Sequence, residues 1–168
     1  MSASLVSVLQ LDHVTFVVKD LASSRRFYVD VLGMQEVPRP AFSFAGSWFQ
    51  AGKTLIHLIL EHDLSGPAGY PVEVLQRSTR NHHIAFAVHD ARVAAAQLKA
   101  AGIPLMDDAK IRPDGAVQVF ILDPDNHVIE LCSVSHARRQ LKSAMTAASA
   151  LSAGRNRKSM FMVLSTVR

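Results

Sequence analysis

The chain has 168 residues, of which 49% are apolar, a formal net charge of +4 and a single cysteine. This length and composition fit one domain of ordinary size, or two small modules around a shared core, and exclude a disordered chain. No apolar run approaches the roughly 20 residues of a membrane span, so no membrane insertion is expected. One cysteine cannot form an internal disulfide, which fits a cytoplasmic protein.

The net positive charge comes from the C-terminal part of the chain. After Glu130 there is no acidic residue, whereas seven basic residues follow it. Without those seven, 11 basic residues remain against 14 acidic ones, so the rest of the chain is mildly acidic. No motif of a nucleic-acid-binding protein is present, and a nucleic-acid partner is not expected. We interpret residues 135–168 as a basic C-terminal helix and tail.

The first predicted module covers residues 9–62. Its strand LDHVTFVVKD ends at Asp20, a residue that suits a helix N-cap, and the helix that follows ends at Gly33. Four strand-like pieces come next, EVPR, PAFSFAG, SWFQAG and KTLIHLILE. The module therefore reads as one strand, one helix and about three further strands.

The second predicted module, at residues 80–134, repeats this order after a linker at 63–79. NHHIAFAVHD begins it, Asp90 suits the N-cap, Gly102 ends the helix, and PLMDD, AVQVFILD and HVIELCS follow as strands. At an offset of 70, His13 matches His83 and Phe16 matches Phe86. The expected fold is α+β, with two βαβββ modules forming a curved mixed sheet around a ligand-binding cleft.

The repeat distinguishes between the adjacent residues His82 and His83. Only His83 has a counterpart, because residue 12 is an aspartate. Neighbouring residues of a strand point to opposite faces, so His13 shares its face with Thr15, and bulky Phe16 lies on the other. The smaller, partly polar face suits a cleft.

His57 and Glu130 form a second matched pair in the last strand of each module. Both are polar groups between aliphatic residues, and an isolated buried carboxylate is costly unless it is paired or binds a metal. His13, His57, His83 and Glu130 are a plausible ligand set for Zn²⁺, Ni²⁺, Co²⁺, Mn²⁺ or Fe²⁺. The other histidines in or near strand ends and turns are interpreted as surface residues: His62, His89, His127 and His136.

The segments LDHVTFVVKD, RRFYVDVLGM, HHIAFAV, LKAAGI and VFILDPDNHVIEL together resemble the vicinal oxygen chelate superfamily. This superfamily includes glyoxalase I, fosfomycin-resistance thiol transferases and extradiol dioxygenases. The resemblance implies one divalent metal ion on His13, His83 and Glu130, with His57 as a possible fourth ligand. It also implies a small-molecule substrate and a homodimer, with the metal site inside one chain or between two.

The resemblance leaves the reaction open. A glyoxalase I-like enzyme would move a proton between adjacent carbons through an enediolate, with Glu130 or His57 as the base and a thiol as cosubstrate. Against glutathione as that thiol, the apolar Val17 stands where such enzymes often have a basic residue that holds glutathione. A fosfomycin-type thiol transferase would use Thr15, but Phe120 replaces its tyrosine. An extradiol dioxygenase would also need that tyrosine. A non-enzymatic drug-sequestering protein of the bleomycin-resistance type is a further alternative.

Side chains of the groove are expected to contact the substrate. The aromatic ones suggest a partly apolar substrate, and Arg39 and Arg112 are possible partners for an anionic group. Core packing is an equally good interpretation of Phe42 and Phe44. The expected substrate-binding residues are Thr15, Trp48, Gln118 and Phe120.

Overall fold

A computed structural model describes residues 5, 6, 8–70, 79, 80 and 82–134 of the chain. The predicted basic helix and tail at 135–168 and residues 71–78 of the linker lie outside the described residues. No helix in the described part is long and apolar enough to cross a membrane.

The first module forms a four-stranded mixed sheet with the order β1-β4-β3-β2. Strand β1 pairs with β4 in parallel, and β3 is antiparallel to both β4 and β2. Helix α1 continues directly into a wider π-helical turn at Arg26–Val31. The elements are β1 His13–Val18, α1 Leu21–Arg25, β2 Gln35–Val37, β3 Gly46–Ala51 and β4 Thr54–Leu60.

The second module repeats this topology, with the strand order β5-β8-β7-β6 and a parallel β5–β8 pair. Its elements are β5 Ile84–Ala87, α2 Ala91–Ala100, β6 Asp107–Ile111, β7 Val117–Leu122 and β8 Val128–Ser133. The described chain is thus an α+β protein of two mixed sheets, without a closed barrel, and the predicted fold class is confirmed.

The two helices begin as the sequence predicts. The Asp20 side chain accepts a hydrogen bond from the Ser23 backbone N–H at 2.6 Å, and Asp90 accepts one from Arg92 at 2.8 Å. These carboxylates satisfy N–H groups that have no partner inside the helix. Gly33 and Gly102 follow the helices with φ of +70° and +74°, a conformation in which glycine lacks the steric penalty of a Cβ.

The segment PAFSFAG is the exception, because the prediction of a strand there is wrong. Strand β2 ends at Val37 and β3 begins only at Gly46, so most of the segment is a loop. Pro38 and Pro40 lack the backbone N–H that a strand ladder needs. The Arg39 side chain closes the loop by donating from Nη2 to the Phe44 carbonyl oxygen at 2.8 Å.

The main hydrophobic core joins the modules. Residues of both sheets share one buried cluster, with Phe49, Ile56 and Leu58 from the first module beside Val119 and Ile121 from the second. Burial of these apolar side chains from both halves stabilises the modules against one another.

A polar contact crosses the same junction. The Tyr28 hydroxyl, which is fully buried, donates to Asp123 Oδ2 at 3.0 Å. His127 Nδ1 lies 2.8 Å from the same oxygen, and His127 is only 5% exposed. The interpretation of His127 as a surface residue is therefore wrong, because the turn that begins at Asp123 folds inward against the first module.

Candidate metal centre

Each sheet has one face in the main core, and the opposite face is called the outer face. In the second module the outer face is itself largely buried, and Phe120 and Val128 form a second, small hydrophobic cluster on it. In the first module the outer face carries a row of three paired residues, since Thr15 and Trp48 both lie opposite His57. In the second module Ala85 and Phe120 both lie opposite Glu130. The strand registers thus place His57 and Glu130 at equivalent positions of the repeat, and Trp48 and Phe120 likewise.

The first pair of candidate ligands is His13 and His57. Their rings are stacked with centroids 4.2 Å apart, and the Trp48 indole stacks on the other side of His57 at 4.0 Å. His57 Nε2 is buried and has no hydrogen-bond partner among the described residues. Burial lowers the pKa of His57, and the nearby His13 imidazole lowers it further. This ring is therefore held in its neutral form, the form that binds a metal.

His13 is more accessible than His57. Its Nδ1 lies 2.8 Å from Asp12 Oδ2, and the His13 and Asp12 side chains are 42% and 84% exposed to solvent. A carboxylate on one ring nitrogen fixes the tautomer and leaves the other nitrogen as the free donor of an electron pair. Asp12 was not identified from the sequence as a site residue, although it directly precedes His13.

The second pair is His83 and Glu130, whose Nε2 and Oε2 atoms are 3.1 Å apart. Glu130 is only 3% exposed. The Phe120 ring meets the edge of His83 at a centroid distance of 5.5 Å and is also buried. The carboxylate therefore lies in an apolar setting, where it needs a cationic or metal partner.

Arg112 is the second partner of Glu130. Its Nη1 lies 3.3 Å from Glu130 Oε1, and its Nη2 donates to Asp114 at 2.9 Å. The hydrogen bond with Asp114 raises the pKa of Arg112. Cys132 lies beside them, with Sγ 3.8 Å from Arg112 Nη1, and burial raises the pKa of its thiol. This contact between residues 112 and 130 depends on the β6–β7 hairpin, which the linear sequence does not specify.

The two pairs do not meet within one chain. Among the described residues, no group of three or more His, Cys, Asp or Glu side chains could hold a metal ion. The donor set of three imidazoles and one carboxylate nevertheless fits a divalent transition metal, and the unpartnered Nε2 of His57 fits a ligand atom.

The four expected substrate-binding residues occupy the outer faces. Thr15 and Trp48 flank His57, while Phe120 lies opposite Glu130 and Gln118 opposite Cys132. A cavity of about 1110 Å³ lies elsewhere, between the modules, and contains none of the predicted site residues. Its walls are mainly apolar and come largely from β5, α2 and the residues that follow the first helix, so it is separate from the candidate metal centre.

Comparison with known proteins agrees with this architecture. Residues 10–131 match the family model described as Glyoxalase/Bleomycin resistance protein/Dioxygenase superfamily. The chain is 29% identical over 128 residues to a protein of Arabidopsis thaliana named Glyoxylase I 4, covering 73% of this chain and 70% of that protein. It is 27% identical over 128 residues to the lactoylglutathione lyase of Haemophilus influenzae, covering 73% and 90% of the two chains.

Solved structures show the same fold. A glyoxalase family protein of Bacillus anthracis superposes with a TM-score of 0.62 at 26% identity, over 79% of this chain and 100% of the other. The fosfomycin resistance protein FosX of Mesorhizobium loti superposes with a TM-score of 0.54 at 23% identity, over 80% and 99%. The chain belongs to the Glyoxalase/Bleomycin resistance protein/Dioxygenase superfamily, as the sequence motifs predict.

Proposed function

We propose that the protein is a cytoplasmic, divalent-metal-dependent enzyme that acts on a small molecule by glyoxalase I-like lyase or isomerase chemistry. Its metal site consists of His13 and His57 from one protomer and His83 and Glu130 from a second copy. The observation that supports this proposal is that the pair His13 and His57 and the pair His83 and Glu130 occupy equivalent positions of the repeat. Each pair lies on the outer face of a parallel strand pair, at matching positions of the strand registers.

The sheet edges support a shared site. In the described sheets, β1 and β5 each pair with a neighbouring strand on one side only, and these strands begin at or next to His13 and His83. A twofold dimer can set β1 of one copy beside β5 of the other, which would bring one pair of each kind together. Twofold symmetry would then create two identical sites.

The chain's own side chains supply the acid–base chemistry. When bound, the cation would hold two neighbouring oxygens of the substrate and stabilise negative charge that develops on them. We assign Glu130 as the base of the two candidates, because His83 and Arg112 fix the orientation of its carboxylate. It would take a proton from one substrate carbon and return it to the next. His57 is the alternative base, and a thiol is the expected cosubstrate.

A fosfomycin-type thiol transferase is the second candidate. Thr15 favours it, because this hydroxyl residue lies directly opposite His57 on the outer face. Phe120 argues against it, since it cannot supply a phenolic hydroxyl group beside Glu130. The same absence makes ring-cleaving dioxygenase chemistry a weaker alternative.

Mixing two inactive variants tests the shared site. One variant carries His13→Ala and His57→Ala, and the other carries His83→Ala and Glu130→Gln. Neither homodimer should bind Zn²⁺ stoichiometrically, whereas heterodimers have one intact site, so a refolded equimolar mixture should recover about a quarter of the wild-type metal content. A mixture that recovers no metal, while the wild type binds it, would show that the site is not shared between chains.

Activity assays test the reaction class. The metal-loaded protein is assayed with methylglyoxal plus thiols, with fosfomycin plus thiols and with catechols in the presence of Fe²⁺. We expect turnover in the first assay and its loss in Glu130→Gln. Binding of aromatic drugs by a protein that takes up no metal would instead identify a sequestering protein and contradict the proposed function.

A further inference from the structure

Arg39 is held rigidly beside the outer face of the first module. Its guanidinium carbon lies 4.7 Å from the centre of the Phe42 ring and 5.0 Å from that of Phe44. One of its N–H groups donates to the Phe44 carbonyl oxygen at 2.8 Å. An arginine has five N–H donors in one plane, so the fixed guanidinium group retains donors for a further acceptor.

The charge of Arg39 is not neutralised. Among the described residues no carboxylate forms an ion pair with it, whereas the other arginine near the site, Arg112, contacts both Asp114 and Glu130. The structure therefore distinguishes the two arginines, since Arg112 holds a protein carboxylate and Arg39 has the capacity to bind an external anion.

A continuous series of rings connects Arg39 to the candidate metal ligands. Phe42 lies 6.0 Å from Trp48 between ring centres, and Trp48 stacks on His57 at 4.0 Å. Phe42 is 47% exposed, so its ring is accessible to a ligand. Flat apolar groups pack favourably on exposed aromatic rings. An anion at Arg39 would thus have an aromatic surface between itself and His57.

We propose that Arg39, Phe42 and Trp48 form a binding site for the anionic, flat apolar part of the substrate, with an aryl carboxylate as the simplest ligand of this class. The carboxylate accepts hydrogen bonds from the guanidinium group, and the ring of the ligand packs on Phe42. The assignment of this ligand as substrate rests on the proposed function. Binding itself does not require the metal.

The fluorescence of Trp48 provides the test, because it is the only tryptophan in the chain. The full-length protein is titrated with benzoate, with its neutral analogue benzamide, and with acetate, each with and without Zn²⁺. Benzoate should change the fluorescence saturably in both conditions. Benzamide and acetate should bind about tenfold more weakly, since each lacks one of the two interactions.

Three variants distinguish a loss of ligand binding from a loss of folding. Arg39→Met keeps the aliphatic stem and should weaken benzoate binding about tenfold while leaving benzamide unchanged. Phe42→Leu, at an exposed position, should weaken benzoate and benzamide alike. Arg92→Met, which removes an exposed arginine from α2, is the matched control and should bind benzoate as the wild type does.

The outcomes are distinct from those of the metal experiment. Equal affinities for benzoate and benzamide in the wild type, or unchanged benzoate binding in Arg39→Met, would overturn the proposal even if the protein binds metal. If Arg39→Met is unfolded, Arg39→Lys takes its place, and the comparison of benzoate with benzamide in the wild type still decides. Benzoate selectivity in a protein without metal affinity would support the anion site and contradict the proposed function.

Discussion

Tyr28 is a buried residue whose contribution to stability depends on its ionisation state. Burial raises the pKa of its hydroxyl well above the usual value, and the Asp123 carboxylate raises it further. Because the folded pKa exceeds the unfolded one, the stabilisation is complete below about pH 10 and is lost as the pH rises through the folded pKa.

We therefore expect Tyr28→Phe to lower the free energy of unfolding by about 1–3 kcal/mol at neutral pH, because Asp123 loses a hydrogen-bond donor. The difference from the wild type should shrink above about pH 10. Urea denaturation between pH 7 and 11 measures this. The matched control is Tyr70→Phe, since Tyr70 is 41% exposed and is the only other tyrosine. A constant difference at every pH would contradict the role given to the hydroxyl group.

At the scale of single residues, the sequence predicts which face of a strand a side chain occupies better than it predicts which residues that side chain contacts. The alternation of Val14, Phe16 and Val18 assigned one face of β1 to the core, and the structure places these side chains in or against it. The contact of Glu130 with Arg112 could not be predicted, because it joins residues whose distance depends on how one hairpin is paired. The burial of His127 also escaped prediction, since turn residues are usually exposed.

Among the elements, β3 depends on close approach of its first residue to β4. A Cβ added at Gly46 would lie 2.3 Å from the Leu58 carbonyl oxygen. We expect Gly46→Ala to move the start of β3 away from β4, to change the fluorescence of Trp48, and to cost about 1–3 kcal/mol of stability.

The control for this prediction is Gly33→Ala. Gly33 has a φ of +70°, and its added Cβ would meet no atom within 4 Å. This variant should lose stability through backbone strain alone, by about 1–2 kcal/mol, and should leave the Trp48 fluorescence unchanged. An unaltered emission spectrum in Gly46→Ala would show that β3 tolerates the added methyl group.

The sequence predicts an element boundary correctly where one residue strongly prefers a particular position, such as the N-cap of a helix. Asp20 and Asp90 start the helices because their side chains bind backbone N–H groups three or two residues on. The loop at PAFSFAG was missed because its aromatic residues suit strands, while the two prolines and the side chain of Arg39 determine the actual conformation. Composition alone therefore misled the prediction of this segment.

For the whole molecule, the proposed shared site couples metal binding to dimer formation. If each metal ion bridges two chains, removing it with EDTA should weaken the dimer, because ligands that bind only the assembled form stabilise it by mass action. Sedimentation velocity at micromolar protein concentration should show more monomer after chelation.

The control is the His13→Ala variant, which lacks one proposed ligand. Its monomer–dimer equilibrium should not respond to EDTA. A wild-type protein that stays fully dimeric at all concentrations and yet releases its metal would show that the metal does not hold the chains together.

The duplicated fold and the superfamily were predictable from the repeat and the five segments that resemble the superfamily, and both are confirmed. The assembly of the metal site could not be predicted, because the sequence does not specify whether matched strands meet within one chain or between two. His13 with His57, and His83 with Glu130, are neighbours in the structure, but the joining of the pairs remains a prediction. The module boundaries 9–62 and 80–134 likewise remain predictions.

The alternation of core and outer residues along β1, β4, β5 and β8 has a consequence for how such a protein can diverge. Substitutions at every second position of these strands change the outer face, while the side chains on the main-core face stay in place. His57 and Glu130 illustrate this, because two chemically different groups occupy equivalent places over a similar aliphatic layer. The duplicated scaffold thus accommodates chemically different polar groups at one position of its repeat.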